Sequence, residues 1–238
     1  MKKAPHKIAI AIPVEDLPKT FSLLEKAINA GADFVELRLD YYSDLLGFPL
    51  STLQEYLQKS TVPLIFTCRA SAEGGQSDIT EEKRLDFIKK IIEISPEYLD
   101  IEAMLPKGTL EEIYSLAQKN KVKLIYSYHD FQRTPSITDA HDLYYALLYK
   151  CPGLEEDNEN ILKIIFTANN ESDNRIPIQL CRMAWREERK IVSFCMGEKG
   201  KSSRVNSVKS GAFFTFASLE KTTAPGQLAI SDLKRKWR

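Results

Sequence analysis

Lys163 stands in the middle of "NILKIIFTANN", with Leu162 before it and Ile164, Ile165 and Phe166 after it. An amine in an apolar, β-branched run is a candidate nucleophile. Desolvation disfavours its charged form, and a neutral amine adds to a ketone to give an imine that acidifies the neighbouring C–H. The bland alternative is a lysine whose head snorkels to the strand end and pairs with an acid. His129, in "IYSYHDF", is the histidine placed for proton transfer, because His6 lies at the N-terminus and His141 falls in a helical pattern. A strand histidine held by core hydrogen bonds is its alternative.

Other polar groups cluster at the ends of similar runs. In "VELRLD", Glu36, Arg38 and Asp40 alternate with Val35, Leu37 and Leu39, which puts three charges on one face of an extended chain. Such a set pairs internally or meets a polar ligand, since isolated buried charges are costly. "FTCRASAEGGQSD" ends a run with Arg69 and carries Glu73 just before Gly74-Gly75, as an active-site loop or a surface turn. "CMGEKGKSSRV" reads as a Gly- and Ser-rich loop with Lys199, Lys201 and Arg204, suited to a phosphate or a carboxylate. "TTAPGQL", with Thr223 and Gln227, reads as a loop that closes over a ligand or as an ordinary turn.

Eight short runs rich in Ile, Val, Phe and Tyr must position these groups: "KIAIAIP", "FVELRLD", "VPLIFTCR", "YLDIEA", "KLIYSYHD", "LKIIFTA", "KIVSFCM" and "GAFFTFASL". Between them lie helical patterns such as "LPKTFSLLEKAINAGA", "EEKRLDFIKKIIEIS", "TLEEIYSLAQKN" and "DAHDLYYALLYK", with apolar residues at spacings of three and four. Thr109-x-x-Glu112 and Ser136-x-x-Asp139 read as helix starts. Eight strands alternating with helices predict a single-domain (β/α)8 barrel spanning residues 1–238. A doubly wound open sheet is the structural alternative, without a GxGxxG after its first strand. In a barrel, catalytic groups gather at the C-terminal strand ends, where the groups named above fall.

The 238 residues are 43% hydrophobic and 28% charged, enough to bury a large core. Lys plus Arg and Asp plus Glu balance at 33 each, so no basic excess favours nucleic acid. No run reaches the roughly 20 apolar residues of a membrane span. Cys68, Cys151, Cys181 and Cys195 show no CxxC or metal-ligand spacing, which suits core residues in a reducing cytoplasm. The terminal "ISDLKRKWR" raises a domain cut from, or fused to, something larger.

In this order, "ELRLD" (36–40), "TCRASAEGG" (67–75), "SYHDF" (127–131), "KIIFTAN" (163–169), "MGEKGKSSR" (196–204) and "APGQL" (224–228) resemble type I 3-dehydroquinate dehydratase. That family is a hydro-lyase of the shikimate pathway, which serves chorismate and aromatic amino acid biosynthesis. The resemblance implies that Lys163 forms an imine with the C3 ketone of 3-dehydroquinate. It implies that His129 takes a C2 proton and protonates the departing C1 hydroxyl, and that Glu73 orients His129. Arg204 would hold the substrate carboxylate. Glu36, Arg38, Arg69, Thr223 and Gln227 would bind its hydroxyls or one another, and Phe194 and Met196 would wall the ring. Two departures from the pattern are Phe194, where many relatives carry Met, and Thr223, where Ser is expected. No metal or organic cofactor is implied. Family members are commonly homodimers, and some are fused to shikimate dehydrogenase. Two rivals stand beside this reading: a class I aldolase, which shares the lysine chemistry but splits a C–C bond, and an inert barrel kept as a partner module.

Overall fold

A computed structural model describes residues 6–156, 159–219 and 226–237. All eight expected strands are present: β1 Ile8–Pro13, β2 Phe34–Arg38, β3 Leu64–Thr67, β4 Tyr98–Glu102, β5 Lys123–His129, β6 Ile161–Thr167, β7 Ile191–Met196 and β8 Thr215–Ser218. A two-residue strand that the sequence does not announce, β9 Leu228–Ala229, pairs with β8. The sheet is parallel in the order β7-β6-β5-β4-β3-β2-β1-β8-β9, which is the (β/α)8 arrangement in all but one seam. At that seam no ladder forms; the Phe213 N–H donates to Ile191 O at 2.7 Å, and the Phe194 and Phe216 rings meet 6.3 Å apart.

The helices are α1 Leu17–Asn29, α2 Leu50–Lys59, α3 Glu81–Glu93, α4 Lys107–Lys119, α5 Ile137–Lys150, α6 Arg175–Arg186, α7 Lys201–Lys209 and α8 Ile230–Trp237. Ser136 caps α5 as expected, accepting the Asp139 N–H at 3.2 Å. Thr109 does not open α4. That helix begins at Lys107 behind Pro106, whose fixed φ and missing N–H cost nothing at a helix entrance. The "GKSSR" stretch is also not all loop, because α7 starts at Lys201 and carries Arg204 in its first turn. Among the described residues no helix is long and apolar enough to cross a membrane.

Strand alternation divides the core in two. Ile8, Ile10 and Ile12 of β1 face the helices with Val35, Leu37, Leu99 and Ile101. Ala9, Phe34, Ile65, Tyr98, Ile125, Ile161, Val192 and Phe214 fill the barrel interior. Two residues further along β2 to β6, the same inward face becomes polar, and Glu36, Thr67, Asp100, Ser127 and Lys163 are all buried; on β1, β7 and β8 it stays apolar with Ala11, Phe194 and Phe216. The apolar floor thus lies directly beneath a buried polar layer, and the layer opens into the mouth.

The floor sets the first expected outcome. Phe214 is fully buried and meets Phe34 at 5.0 Å and Phe216 at 5.4 Å. Phe214→Ala loses about 3–5 kcal/mol of unfolding free energy in urea titrations, the usual range for an emptied core aromatic. A loss below about 1 kcal/mol would mean that the interior layer repacks without it.

Candidate active site

The polar layer is built around one carboxylate. Asp100 Oδ1 accepts from Arg69 Nη2 and from Ser127 Oγ, each at 2.7 Å, and Oδ2 accepts from Lys163 Nζ at 2.8 Å. Arg69 Nη1 donates onward to Ser127 Oγ at 2.7 Å and to Glu102 Oε1 at 3.0 Å. The other Glu102 oxygen lies 2.9 Å from Arg84 Nη2, and Arg84 reaches in from α3 to donate to Cys68 O at 2.6 Å. Burial pushes the Asp100 carboxyl up, but Arg69 and Lys163 outweigh it and hold the group well below the usual carboxylate range. Burial acts against the Arg69 charge, and Asp100 and Glu102 more than restore it.

Lys163 is 5% exposed and lies 3.8 Å from Glu36 Oε1, which itself accepts from Thr67 Oγ1 at 2.7 Å. The lysine head pairs with an acid and also lines the cavity. Strand register sets Lys163 beside Ser127 and puts His129 beside Ile165, two residues nearer the mouth.

His129 Nδ1 lies 3.1 Å from Glu73 Oε2. Glu73 ends a single 3-10 turn, Ser71–Glu73, and Gly74 follows at φ +82, a left-handed conformation that glycine adopts without penalty. At Gly75 a Cβ would lie 2.0 Å from Arg69 O, so the Gly-Gly pair is what folds Glu73 back over the strand end. Burial raises the Glu73 carboxyl to about 7, with Arg69 opposing. Burial, then Arg69 and Lys163, push the His129 imidazolium well below its usual value. The neutral imidazole is thereby favoured, and the roles at Nδ1 follow the protonation of Glu73. An ionised Glu73 accepts Nδ1–H and leaves Nε2 as a base; a protonated Glu73 donates to Nδ1 and leaves Nε2–H as an acid.

These groups share a cavity of about 370 Å³ with Arg38, Arg69, Arg204, Phe194, Met196 and Gln227. Arg38 makes a bidentate pair with Asp40 at 2.8 and 2.9 Å. Asp40 itself lies past the strand, in the 3-10 turn Leu39–Tyr41, where it also accepts the Gln76 N–H at 3.1 Å. Arg204 is 1% exposed, and burial lowers its guanidinium to about 9. Gln227 follows Gly226, where a Cβ would lie 2.1 Å from Gly197 O, so the two mouth loops touch backbone to backbone. Thr223 lies outside the described residues.

Several cavity residues went unremarked in the sequence: Tyr41, Gln76, Phe131 and Phe216 line it, and Asp100 and Glu102 underlie it. For the two acids a signal existed. They alternate in "YLDIEA" as Glu36 and Arg38 do in "VELRLD". Among the described residues no group of three or more His, Cys, Asp and Glu is disposed to hold a metal ion.

A model of the type I 3-dehydroquinase family matches residues 8–237. The chain is 33% identical over 212 residues to 3-dehydroquinate dehydratase of Thermococcus onnurineus (strain NA1), covering 89% of each chain. It is 31% identical over 233 residues to the chloroplastic bifunctional 3-dehydroquinate dehydratase/shikimate dehydrogenase of Arabidopsis thaliana, covering 97% of this chain and 36% of that one. The crystal structure of 3-dehydroquinate dehydratase from Geobacillus kaustophilus HTA426 superposes with a TM-score of 0.86 at 23% identity, over 98% of this chain and 90% of that one; what those two share is the fold.

The Asp100 network gives a stability test. Asp100→Ala leaves Arg69 and Lys163 without their shared carboxylate and costs about 3–5 kcal/mol in urea at pH 7. Because the Asp100 pKa is depressed in the fold, its contribution is complete above the unfolded value of about 3.9 and is lost as pH falls below it. An Asp100→Ala protein whose acid unfolding curve overlays the wild type would remove the carboxylate from this role.

Proposed function

Since the chain belongs to the type I 3-dehydroquinase family, we propose that it eliminates water from 3-dehydroquinate to give 3-dehydroshikimate through an imine on Lys163. The observation that carries this reading is the convergence of a buried amine, a neutral imidazole and a buried guanidinium on one cavity.

Lys163 Nζ adds to the C3 carbonyl, and loss of that oxygen as water leaves a cationic imine. The protons lost by the ammonium pass through the neutral His129 imidazole to the departing oxygen, while Asp100 at 2.8 Å stays ionised and, with Glu36 at 3.8 Å, faces the imine charge. His129 Nε2 removes a C2 proton, and the electron pair forms an enamine. The enamine expels the C1 hydroxyl, which leaves as water with the proton carried by His129. Hydrolysis of the imine returns the ketone and the amine. Glu73 holds Nδ1 and selects the tautomer, so His129 works as a base first and an acid second.

Arg204 takes the substrate carboxylate. Phe194 and Met196 wall the ring, and Arg38, Arg69, Thr223 and Gln227 bind hydroxyls or hold one another. An aldolase would share the lysine but has no need of a buried carboxylate binder beside it, and an inert module would need none of the set. Residues 1–238 would form one dehydratase domain, alone or fused to a shikimate dehydrogenase domain, acting on this small molecule in the cytoplasm, where a homodimer is one open assembly.

Borohydride added with 3-dehydroquinate leaves a ligand-sized adduct on wild-type protein, mapped by mass spectrometry to Lys163, and none on Lys163→Ala. His129→Ala still gives some adduct, while its kcat falls about 10²–10⁴-fold. Folded, substrate-exposed wild type without an adduct would end the covalent mechanism. The pH profile offers a separate check. Glu73 titrates at about 7, and its ionised form is the one that leaves Nε2 as the base, so kcat/KM rises through neutrality in wild type. Glu73→Gln flattens that limb; an unchanged inflection would assign it to another group.

A further inference from the structure

Two cations of the cavity rest on aromatic faces. The Arg204 guanidinium carbon lies 4.2 Å from the Phe194 ring centroid, and Lys163 Nζ lies 4.9 Å from that of Phe216. The two rings meet nearly edge to face, 6.3 Å apart at 67°, and Phe216 meets Phe214 at 5.4 Å and 83°. All three rings are buried, and all belong to the apolar cluster filling the barrel. Lys163 and Arg204 are therefore seated on one continuous aromatic support.

The supports differ in kind. Lys163 has a carboxylate at 2.8 Å in addition to its ring. Arg204 comes from the first turn of α7 and lays its guanidinium over a ring of β7. A face contact with an aromatic ring attracts a cation through the ring quadrupole and uses none of the five guanidinium N–H donors. It also fixes the plane of the guanidinium, and a fixed plane is what a bidentate partner requires. A flexible aliphatic side chain under Arg204 would exclude water equally well but would supply neither the quadrupole nor the flat surface.

We propose that Phe194 is a specificity-determining positioning residue, holding the plane of Arg204 so that the site selects a planar carboxylate on its ligand. This deepens the dehydratase reading and rests on its assignment of Arg204 to the substrate carboxylate. Because Phe194 also touches Phe216, and Phe216 lies under Lys163, the same ring ties the carboxylate anchor to the position of the amine.

The test uses quinate, which has the carboxylate but no ketone and so forms no imine, and its carboxamide, which has no charge. Binding of both is measured by calorimetry to wild type, Phe194→Leu and Phe194→Tyr, each checked for folding by circular dichroism. Wild type prefers quinate. Phe194→Leu weakens quinate about fivefold to thirtyfold, the range of a desolvated cation–π contact, and shifts the carboxamide less than about twofold. Phe194→Tyr recovers most of the loss. With 3-dehydroquinate the Leu variant raises KM by a similar factor and lowers kcat far less. Equal weakening of both ligands, or unchanged quinate binding in Phe194→Leu, would overturn the proposal by leaving Phe194 a packing role alone. If wild type traps substrate with borohydride while Phe194→Leu binds quinate unchanged, this inference falls and the dehydratase reading stands. If wild type neither traps 3-dehydroquinate nor prefers quinate, both fall.

Discussion

A single buried carboxylate, Asp100, receives an arginine just past β3, a serine hydroxyl of β5 and a lysine of β6, and the rest of the mouth is arranged around it. Uncompensated, any one of those charges would be too costly to bury in a barrel interior. Together they hold one another, and Glu102 and Arg84 extend the set to α3 outside the sheet. Rigidity follows from this. Lys163 is fixed on one side by a carboxylate oxygen at 2.8 Å and on the other by the Phe216 ring, so the amine has little room to wander.

Two acids of the mouth show how neighbouring charges decide what desolvation does to a carboxyl. Asp100 is surrounded by Arg69 and Lys163, and their attraction overcomes desolvation and keeps it ionised. Glu73, beside the His129 imidazole, is only partly buried, yet desolvation outweighs the attraction of Arg69 and the carboxyl titrates at about 7. One acid serves as a permanent anion and the other as a group that exchanges protons near neutrality. This division follows from which neighbours each carboxylate faces, since both sit at the same end of the barrel.

The interior also shows what the layered barrel does for the polar mouth. The aromatic floor of Phe34, Phe214 and Phe216 excludes water from beneath the site, which strengthens every charge interaction above it. Closure between β7 and β8 depends on side chains more than on backbone pairing, and the rings at that seam, Phe194 and Phe216, are the ones that carry Arg204 and Lys163. The seam and the cavity wall are built from the same residues.

The eight strands and their inward faces were legible because alternation and β-branching are local properties, and Lys163, His129 and Glu73 stood out because each is a polar group within or just after an apolar run. Helix starts were less legible. Pro106 displaced the start expected at Thr109, and the Ser-rich run after β7 hid a helix that carries Arg204. Partnership was not legible at all. Asp100 and Lys163 are 63 residues apart, and Ser127 with Asp100 27 apart, so their meeting depends on strand register and barrel closure. The sequence by itself determined which residues point inward, because that needs only the two-residue period of a strand. Tertiary structure alone decided which charges touch, and hence which acid stays ionised and which takes up a proton, because those outcomes depend on distances and burial that exist only after the strands are in register.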